Sequence, residues 1–144
     1  MDVISMPNFK NLITNIQSDY PELSILPGER FQFSPPHTIY YENDDPLLLL
    51  HEVGHYLLPE HKYASDIELI RIESRAWAQA ESLCARYGVD YDPEYAEDRL
   101  DSYRDWLHFT SLCKNCDLAG YQDVSGLYHC AFCGATWNSR IKPE

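Results

Sequence analysis

The sequence predicts an α+β protein in which short strands and long helices are followed by a separate cysteine-rich module. Three segments, beginning near residues 44, 66 and 92, space their apolar residues at the period of a helix. Short segments of β-branched and aromatic residues precede them. From residue 112 onward the chain is punctuated by cysteine and glycine and has no helical period. We therefore expect two domains, residues 1–111 and residues 112–144.

The N-terminal part combines one predicted helix with two predicted strands. Residues 8–18 keep their apolar side chains on one side, which predicts a short helix. Arg30–Phe33 (RFQF) and Thr38–Tyr41 (TIYY) have a composition that is typical of strands. The intervening residues 21–28 contain two prolines and a glycine and predict a loop.

Three helices are predicted after the strands. Residues 44–46 (DDP) form a helix start, with acidic capping residues and a proline in the first turn, and this helix ends at Pro59. The next helix covers residues 66–87 and ends at Gly88. The third helix begins at residues 92–93. Its predicted apolar stripe consists of Ala96, Leu100, Tyr103 and Leu107.

Composition limits the classes of function. The 144 residues carry a net charge of -12, which argues against a non-specific nucleic-acid binder because phosphate binding needs a basic surface. The first ten residues lack the basic and apolar regions of a signal peptide. The longest leucine run, Leu47–Leu50, is too short to cross a membrane. We therefore expect a cytoplasmic protein with no membrane partner.

The predicted helix that begins at residues 44–46 carries the sequence HEVGH, an H-E-x-x-H motif that spans His51–His55. Residues four apart lie on one face of a helix, so the imidazoles of His51 and His55 can reach one metal ion. Glu52 is placed to take a proton from a zinc-bound water, whose pKa zinc lowers towards ~7. Burying three polar groups in an otherwise apolar helix costs several kcal/mol unless they are paired, and a metal would pair them.

This motif and its surroundings resemble the zincin metallopeptidases. The stretch Thr38–Leu58 (TIYYENDDPLLLLHEVGHYLL) is similar to their edge strand followed by their active-site helix. Within the zincins it is most similar to small intracellular ImmA/IrrE-type and minimal gluzincin peptidases, a likeness that includes ESRAWA at residues 73–78. The resemblance covers about residues 30–87. It implies peptide-bond hydrolysis, with the substrate paired in extended form along the strand that contains Ile39.

A catalytic zinc usually takes three protein ligands, and two residues compete for the third place. On a helical wheel of residues 66–87, Glu73 sits at the centre of the apolar face, where an isolated carboxylate needs a partner such as zinc. A downstream helical glutamate is also what the gluzincin resemblance implies. His61 has the metzincin spacing from His55, but Leu58 occupies the position of the glycine in that motif. Glu73 is the favoured ligand, with His61 and, more remotely, Asp66 left open.

Two C-x-x-C pairs lie in the C-terminal domain, and in a cytoplasmic chain they indicate a metal site rather than disulfides. They consist of Cys113, Cys116, Cys130 and Cys133. Four thiolates close a tetrahedral site, so this zinc should be structural. The segment resembles a zinc ribbon over about residues 112–137, with a hairpin expected between the pairs. The remaining cysteine, Cys84, is interpreted as a small buried apolar residue, and Trp77 as part of the core.

The favoured hypothesis is a zinc-dependent endopeptidase that binds two zinc ions, one catalytic and one structural. His51, His55 and Glu73 hold the first ion, and Glu52 is the catalytic base. The expected partners are a protein or peptide substrate, with a regulatory protein left open. The alternative is a non-enzymatic module that binds protein or nucleic acid. A DNA-associated SprT-like protease also joins H-E-x-x-H to a ribbon, which keeps nucleic acid open although the charge disfavours it.

Overall fold

A computed structural model describes residues 8–59 and 61–143. In these residues the chain forms four helices and two three-stranded sheets, which confirms the α+β class. None of the helices in the described part of the chain is both long enough and apolar enough to cross a membrane.

The first sheet follows helix α1 (Phe9–Asp19), whose N-terminus is capped by the side chain of Asn8. Its strands are β1 (Ser24–Pro27), β2 (Gln32–Ser34) and β3 (Thr38–Tyr41), in the spatial order β1-β3-β2. Strand β3 pairs in parallel with β1 and antiparallel with β2.

Two sequence-based expectations about this sheet are wrong. Residues 24–27 form strand β1 instead of a loop; Pro27 is tolerated because β1 is an edge strand. The strand that contains Ile39 is central rather than at an edge, because β1 and β2 occupy both of its sides. A substrate therefore cannot pair with it in extended form.

Helix α2 (Pro46–Leu57) begins and ends as predicted. The side chain of Asp45 accepts hydrogen bonds from the backbone N–H groups of Leu47 and Leu48, which caps the helix, and Pro46 occupies the first turn. Most of the helix is buried, including its polar residues His51 and Glu52. The apolar surroundings thus require these polar groups to be paired within the protein.

Helices α3 (Asp66–Tyr87) and α4 (Pro93–Ser111) follow; α3 has the predicted range, and α4 begins at the predicted residue. Gly88 ends α3 with a φ of 71°, a left-handed conformation that favours glycine. The buried stripe of α4 differs in part from the prediction, because Tyr103 and Leu107 are only half-buried. Its buried residues are Ala96, Leu100, Trp106 and Thr110.

The second sheet belongs to the cysteine-rich segment. Its strands are β4 (Tyr121–Gln122), β5 (Tyr128–His129) and β6 (Thr136–Trp137), and neighbouring strands are antiparallel. Strands β4 and β5 form the expected hairpin between the two cysteine pairs, and Gly126 lies in its turn with a φ of 92°.

The described residues divide into two compact units. One comprises Met1–His61 and Arg75–Asp92, and the other comprises Lys62–Ser74 and Pro93–Glu144, in each case as far as the structure describes them. The second unit thus holds α4 together with the cysteine-rich segment. A boundary between independently folding domains at residues 111–112 stays a prediction, since compactness alone does not establish independent folding.

Gly54 allows α2 to approach α3 closely. A Cβ atom at this position would lie 2.4 Å from the carbonyl oxygen of Ala76, which is a backbone atom that cannot move aside alone. Any side chain at residue 54 would therefore push the two helices apart.

We expect Gly54→Ala to lower the free energy of unfolding by about 1–3 kcal/mol, the typical cost of an overpacked contact. The direction of this change is informative, because replacing glycine by alanine inside an unobstructed helix raises the free energy of unfolding by about 1 kcal/mol. Chemical denaturation of the zinc-loaded protein provides the measurement. Ser82→Ala, at an exposed position of α3, is the matched control and should leave stability unchanged or slightly higher. A more stable Gly54→Ala protein would contradict the close approach.

Candidate metal centres

The first candidate centre joins the H-E-x-x-H motif to the following helix. His51, His55 and Glu73 each offer one ligand atom, and these atoms all lie within 4.8 Å of one another. His51 and Glu73 are buried, whereas His55 is half-buried. Ligand atoms this close together could hold a metal ion.

Three local features produce this convergence. His51 and His55 are four residues apart on α2, so their imidazoles share one face, with ring centroids 4.7 Å apart. Gly54 permits the close approach to Ala76 of α3. Glu73 lies one turn before Ala76 on that helix and is only 5% exposed, so its carboxylate is directed into the interior.

Glu52, the predicted catalytic base, lies beside these ligands and is itself buried. Its Oε2 atom is 3.2 Å from Nδ1 of His51. A carboxylate next to a ligating imidazole can orient that ring and strengthen it as a ligand.

Trp77 packs against His51, a contact that the sequence did not predict. The indole and imidazole rings are stacked, with centroids 4.2 Å apart and planes 10° apart. The expectation that Trp77 belongs to the core is correct, since it is 3% exposed. A sequence signal existed: Trp77 follows Glu73 by four residues and therefore lies on the same face of α3.

The donor set fits a zinc ion. Two imidazoles and one carboxylate are a known ligand set of catalytic zinc, and three protein ligands leave a position open for water or substrate. Two buried atoms of the group, Nε2 of His51 and Oε2 of Glu73, make no hydrogen bond, although both residues have other interactions. The group is therefore chemically suited to bind a metal.

The two other candidates for the third ligand lie elsewhere. His61 is exposed, and its ring packs against Phe33 with centroids 5.0 Å apart. Asp66 is buried, but its Oδ2 atom accepts hydrogen bonds from the hydroxyls of Tyr128 (2.8 Å) and Ser139 (2.6 Å). Among the described residues, the group with His51 and His55 thus contains Glu73 and neither alternative.

The second candidate centre consists of four cysteines whose sulfur atoms all lie within 4.8 Å of one another. They are Cys113, Cys116, Cys130 and Cys133. All are free thiols, and the sulfur atoms of Cys113 and Cys133 are 3.6 Å apart, which is too long for a disulfide. Four converging thiols are the donor set of a closed, structural zinc site.

Both cysteine pairs lie in turns of the same geometry. The N–H of Asp117 donates to the carbonyl of Cys113 (2.8 Å), and the N–H of Gly134 donates to the carbonyl of Cys130 (2.9 Å). Asp117 and Gly134 both have positive φ angles, 55° and 78°. The residue after each pair therefore turns the chain in the same way, and the sulfur atoms of both pairs meet at one site that is similar to that of a zinc ribbon.

The local hydrogen bonds also favour thiolate formation at one of these cysteines. The N–H of Ala135 and the thiol of Cys116 stabilise the thiolate of Cys133 and lower its pKa to about 7. The thiol of Cys116, which donates to Cys133, has its pKa raised to about 12. Because a metal binds the thiolate form, the lowered pKa of Cys133 favours metal binding by this thiol.

Cys84 is separate from both centres. It is almost fully buried in α3, and burial, with smaller contributions from Asp90 and Glu81, raises its pKa to about 11. The interpretation as a small apolar core residue is confirmed.

Comparison of the chain with protein-family models, with curated proteins and with solved structures found no significant match.

We expect the purified wild-type chain to bind two zinc ions, and the double variant His51→Ala with His55→Ala to retain one. The thiolate site should keep its ion because it shares no ligand with the first centre. Elemental analysis per mole of protein measures the stoichiometry. The double variant His37→Ala with His108→Ala removes two exposed histidines and should retain both ions. Two ions in the His51/His55 variant would contradict the first centre.

The third ligand is tested by two single variants. Glu73→Ala should lose the ion of the first centre or bind it at least about tenfold more weakly, because a catalytic zinc site needs three protein ligands. His61→Ala should keep two ions, since His61 is exposed and packs on Phe33. Titration with zinc in the presence of a chromogenic chelator gives both affinities. Loss of the ion in His61→Ala, with both ions kept in Glu73→Ala, would indicate that the third ligand is His61.

Proposed function

We propose that the protein is a zinc-dependent peptidase that hydrolyses peptide bonds of a protein substrate. The observation that carries this proposal is the convergence of His51, His55 and Glu73 with a buried Glu52 beside them. Three ligands with an open fourth position and an adjacent carboxylate are the parts that metal-assisted amide hydrolysis requires.

Each residue of this group has a proposed role in the reaction. His51, His55 and Glu73 would hold zinc, which supplies a Lewis acid that polarises the scissile carbonyl and activates water. Glu52 accepts the proton of the attacking water as the new C–O bond forms, and passes it to the leaving amine as the C–N bond breaks. In the structure this carboxylate lies 3.2 Å from Nδ1 of His51.

The substrate is assigned to the outer edge of β2, because both sides of β3 are already paired. Strand β2 is the edge strand next to α2: the ring of Phe33 contacts that of Tyr56, which follows His55 in the chain. An extended peptide that added to β2 would run past the end of the helix that carries the motif.

The cysteine-rich segment is proposed to hold a structural zinc and to dock protein. Its apolar side chains Leu118, Val124 and Phe132 are exposed, Phe132 by 80%. Exposed apolar surface is a feature of sites that contact protein, whereas nucleic-acid contacts need a basic surface. The chain's net charge of -12 also favours a protein substrate over DNA.

We expect Glu52→Gln to lower the rate of peptide cleavage by about 10²–10⁴-fold, because the amide cannot accept the proton of water. The variant should still bind two zinc ions, since Glu52 is not a ligand. The measurement is the turnover of a fluorogenic peptide library at equal metal content. Glu81→Gln, at an exposed position of α3, is the matched control and should cleave like the wild type.

Two outcomes would contradict the proposed function. Cleavage by Glu52→Gln at the wild-type rate would remove Glu52 from the chemistry. A zinc-loaded wild-type chain that cleaves no peptide in the library, but is captured by a partner, would favour a non-enzymatic binding module.

A further inference from the structure

We propose that Trp77 is a positioning residue for the first metal centre, and that its stack on His51 strengthens when metal binds. The inference rests on the proposed metal site but not on peptide cleavage. It adds to the centre a residue that offers no ligand atom and that acts through one of the ligands.

The contact has the geometry of a true ring stack. The ring centroids of Trp77 and His51 are 4.2 Å apart, and the planes are inclined by only 10°. Both side chains are buried, so water does not compete for the face of the imidazole. The indole therefore covers one face of the ring that the motif supplies as a ligand.

Contacts on other sides of the imidazole leave it little freedom. The ring of His55 meets it edge to face, with centroids 4.7 Å apart and planes inclined by 66°. Oε2 of Glu52 lies 3.2 Å from Nδ1. Rotation of the ring about its Cβ–Cγ bond would break the stack with Trp77, so the indole helps to fix the direction of the nitrogen lone pair.

The same contact responds to the charge of the ring. An imidazole that donates its lone pair to a divalent cation becomes electron-poor, whereas the face of an indole is electron-rich. The stack is therefore more favourable with metal than without it. A contact that is stronger in the loaded state raises the affinity for the metal by that difference.

The helix provides a simple reason for this arrangement. Trp77 follows Glu73 by four residues, so α3 presents a ligand and, one turn later, the indole on the same face. Helix α3 thus contributes both the third ligand, Glu73, and the indole ring that packs against the first ligand, His51.

The experiment measures metal affinity in the full chain. Protein that holds one zinc in the cysteine site is titrated with Co²⁺, and binding to the nitrogen–oxygen site is followed by its visible absorption. Trp77→Leu should bind Co²⁺ about threefold to tenfold more weakly than the wild type, the range expected for loss of an aromatic pair. Trp77→Phe keeps a flat ring and should bind with an intermediate affinity.

Trp106 is the matched control, because it is also a buried tryptophan on a helix but belongs to the second unit. Trp106→Phe should bind Co²⁺ like the wild type. A second readout is tryptophan emission on zinc loading of the first centre. The emission change should be present in the wild type and in Trp106→Phe, and absent in Trp77→Phe.

The outcomes distinguish this inference from the proposed function. Wild-type affinity in a folded Trp77→Leu protein, or an unchanged emission response in Trp77→Phe, would overturn the role of Trp77. If Trp77→Leu does not fold, the Co²⁺ affinity and the tryptophan emission of Trp77→Phe test the role of Trp77. A wild-type chain that binds no metal ion beyond the one in the cysteine site would overturn both proposals. A wild-type chain that binds this further ion but cleaves no peptide would overturn only the proposed peptidase activity.

Discussion

The close approach of α2 to α3 is the constraint on which the first metal centre depends. Helix α2 is apolar on most sides and must be buried, yet it carries His51, Glu52 and His55 into the interior. Gly54 removes the side chain that would separate the two helices at Ala76. The polar groups then share one small volume with Glu73. A metal ion bound there would offset a burial cost of several kcal/mol. The same packing therefore buries the apolar side of the helix and brings together residues that could hold a metal.

The helices and the ligands could be predicted from the sequence because their signals are local. The spacing of His51 and His55 is fixed by the helical period, and Asp45 with Pro46 defines the start of the helix. Glu73 was identifiable because a single carboxylate interrupts an apolar stripe. The two C-x-x-C pairs are equally local, since each forms one tight turn before it meets the other.

The parts that could not be predicted depend on contacts between distant segments. Strand β1 (Ser24–Pro27) is a strand because it pairs with β3, and its own composition favours a loop. The same pairing makes β3 central and moves the free edge near α2 to β2. The stack of Trp77 on His51 requires a particular rotation of α3 against α2, and a helical wheel gives only the face. Sequence thus specified the residues that come together, whereas the tertiary structure determined which strand edges are free and how His51 is packed.

A polar network holds the start of α3 and extends the role of the cysteine-rich segment beyond its own fold. Oδ2 of Asp66 accepts hydrogen bonds from Tyr128 and Ser139, and its N–H donates to Oε1 of Gln122 (2.9 Å). Burial and the bond to Asp66 raise the pKa of Tyr128 well above its usual value, so its hydroxyl remains a donor at neutral pH. Glu73 lies two turns further along the same helix, so these bonds hold the start of the helix that carries it. A metal ion bound by the four cysteines of this segment would therefore also stabilise the start of α3.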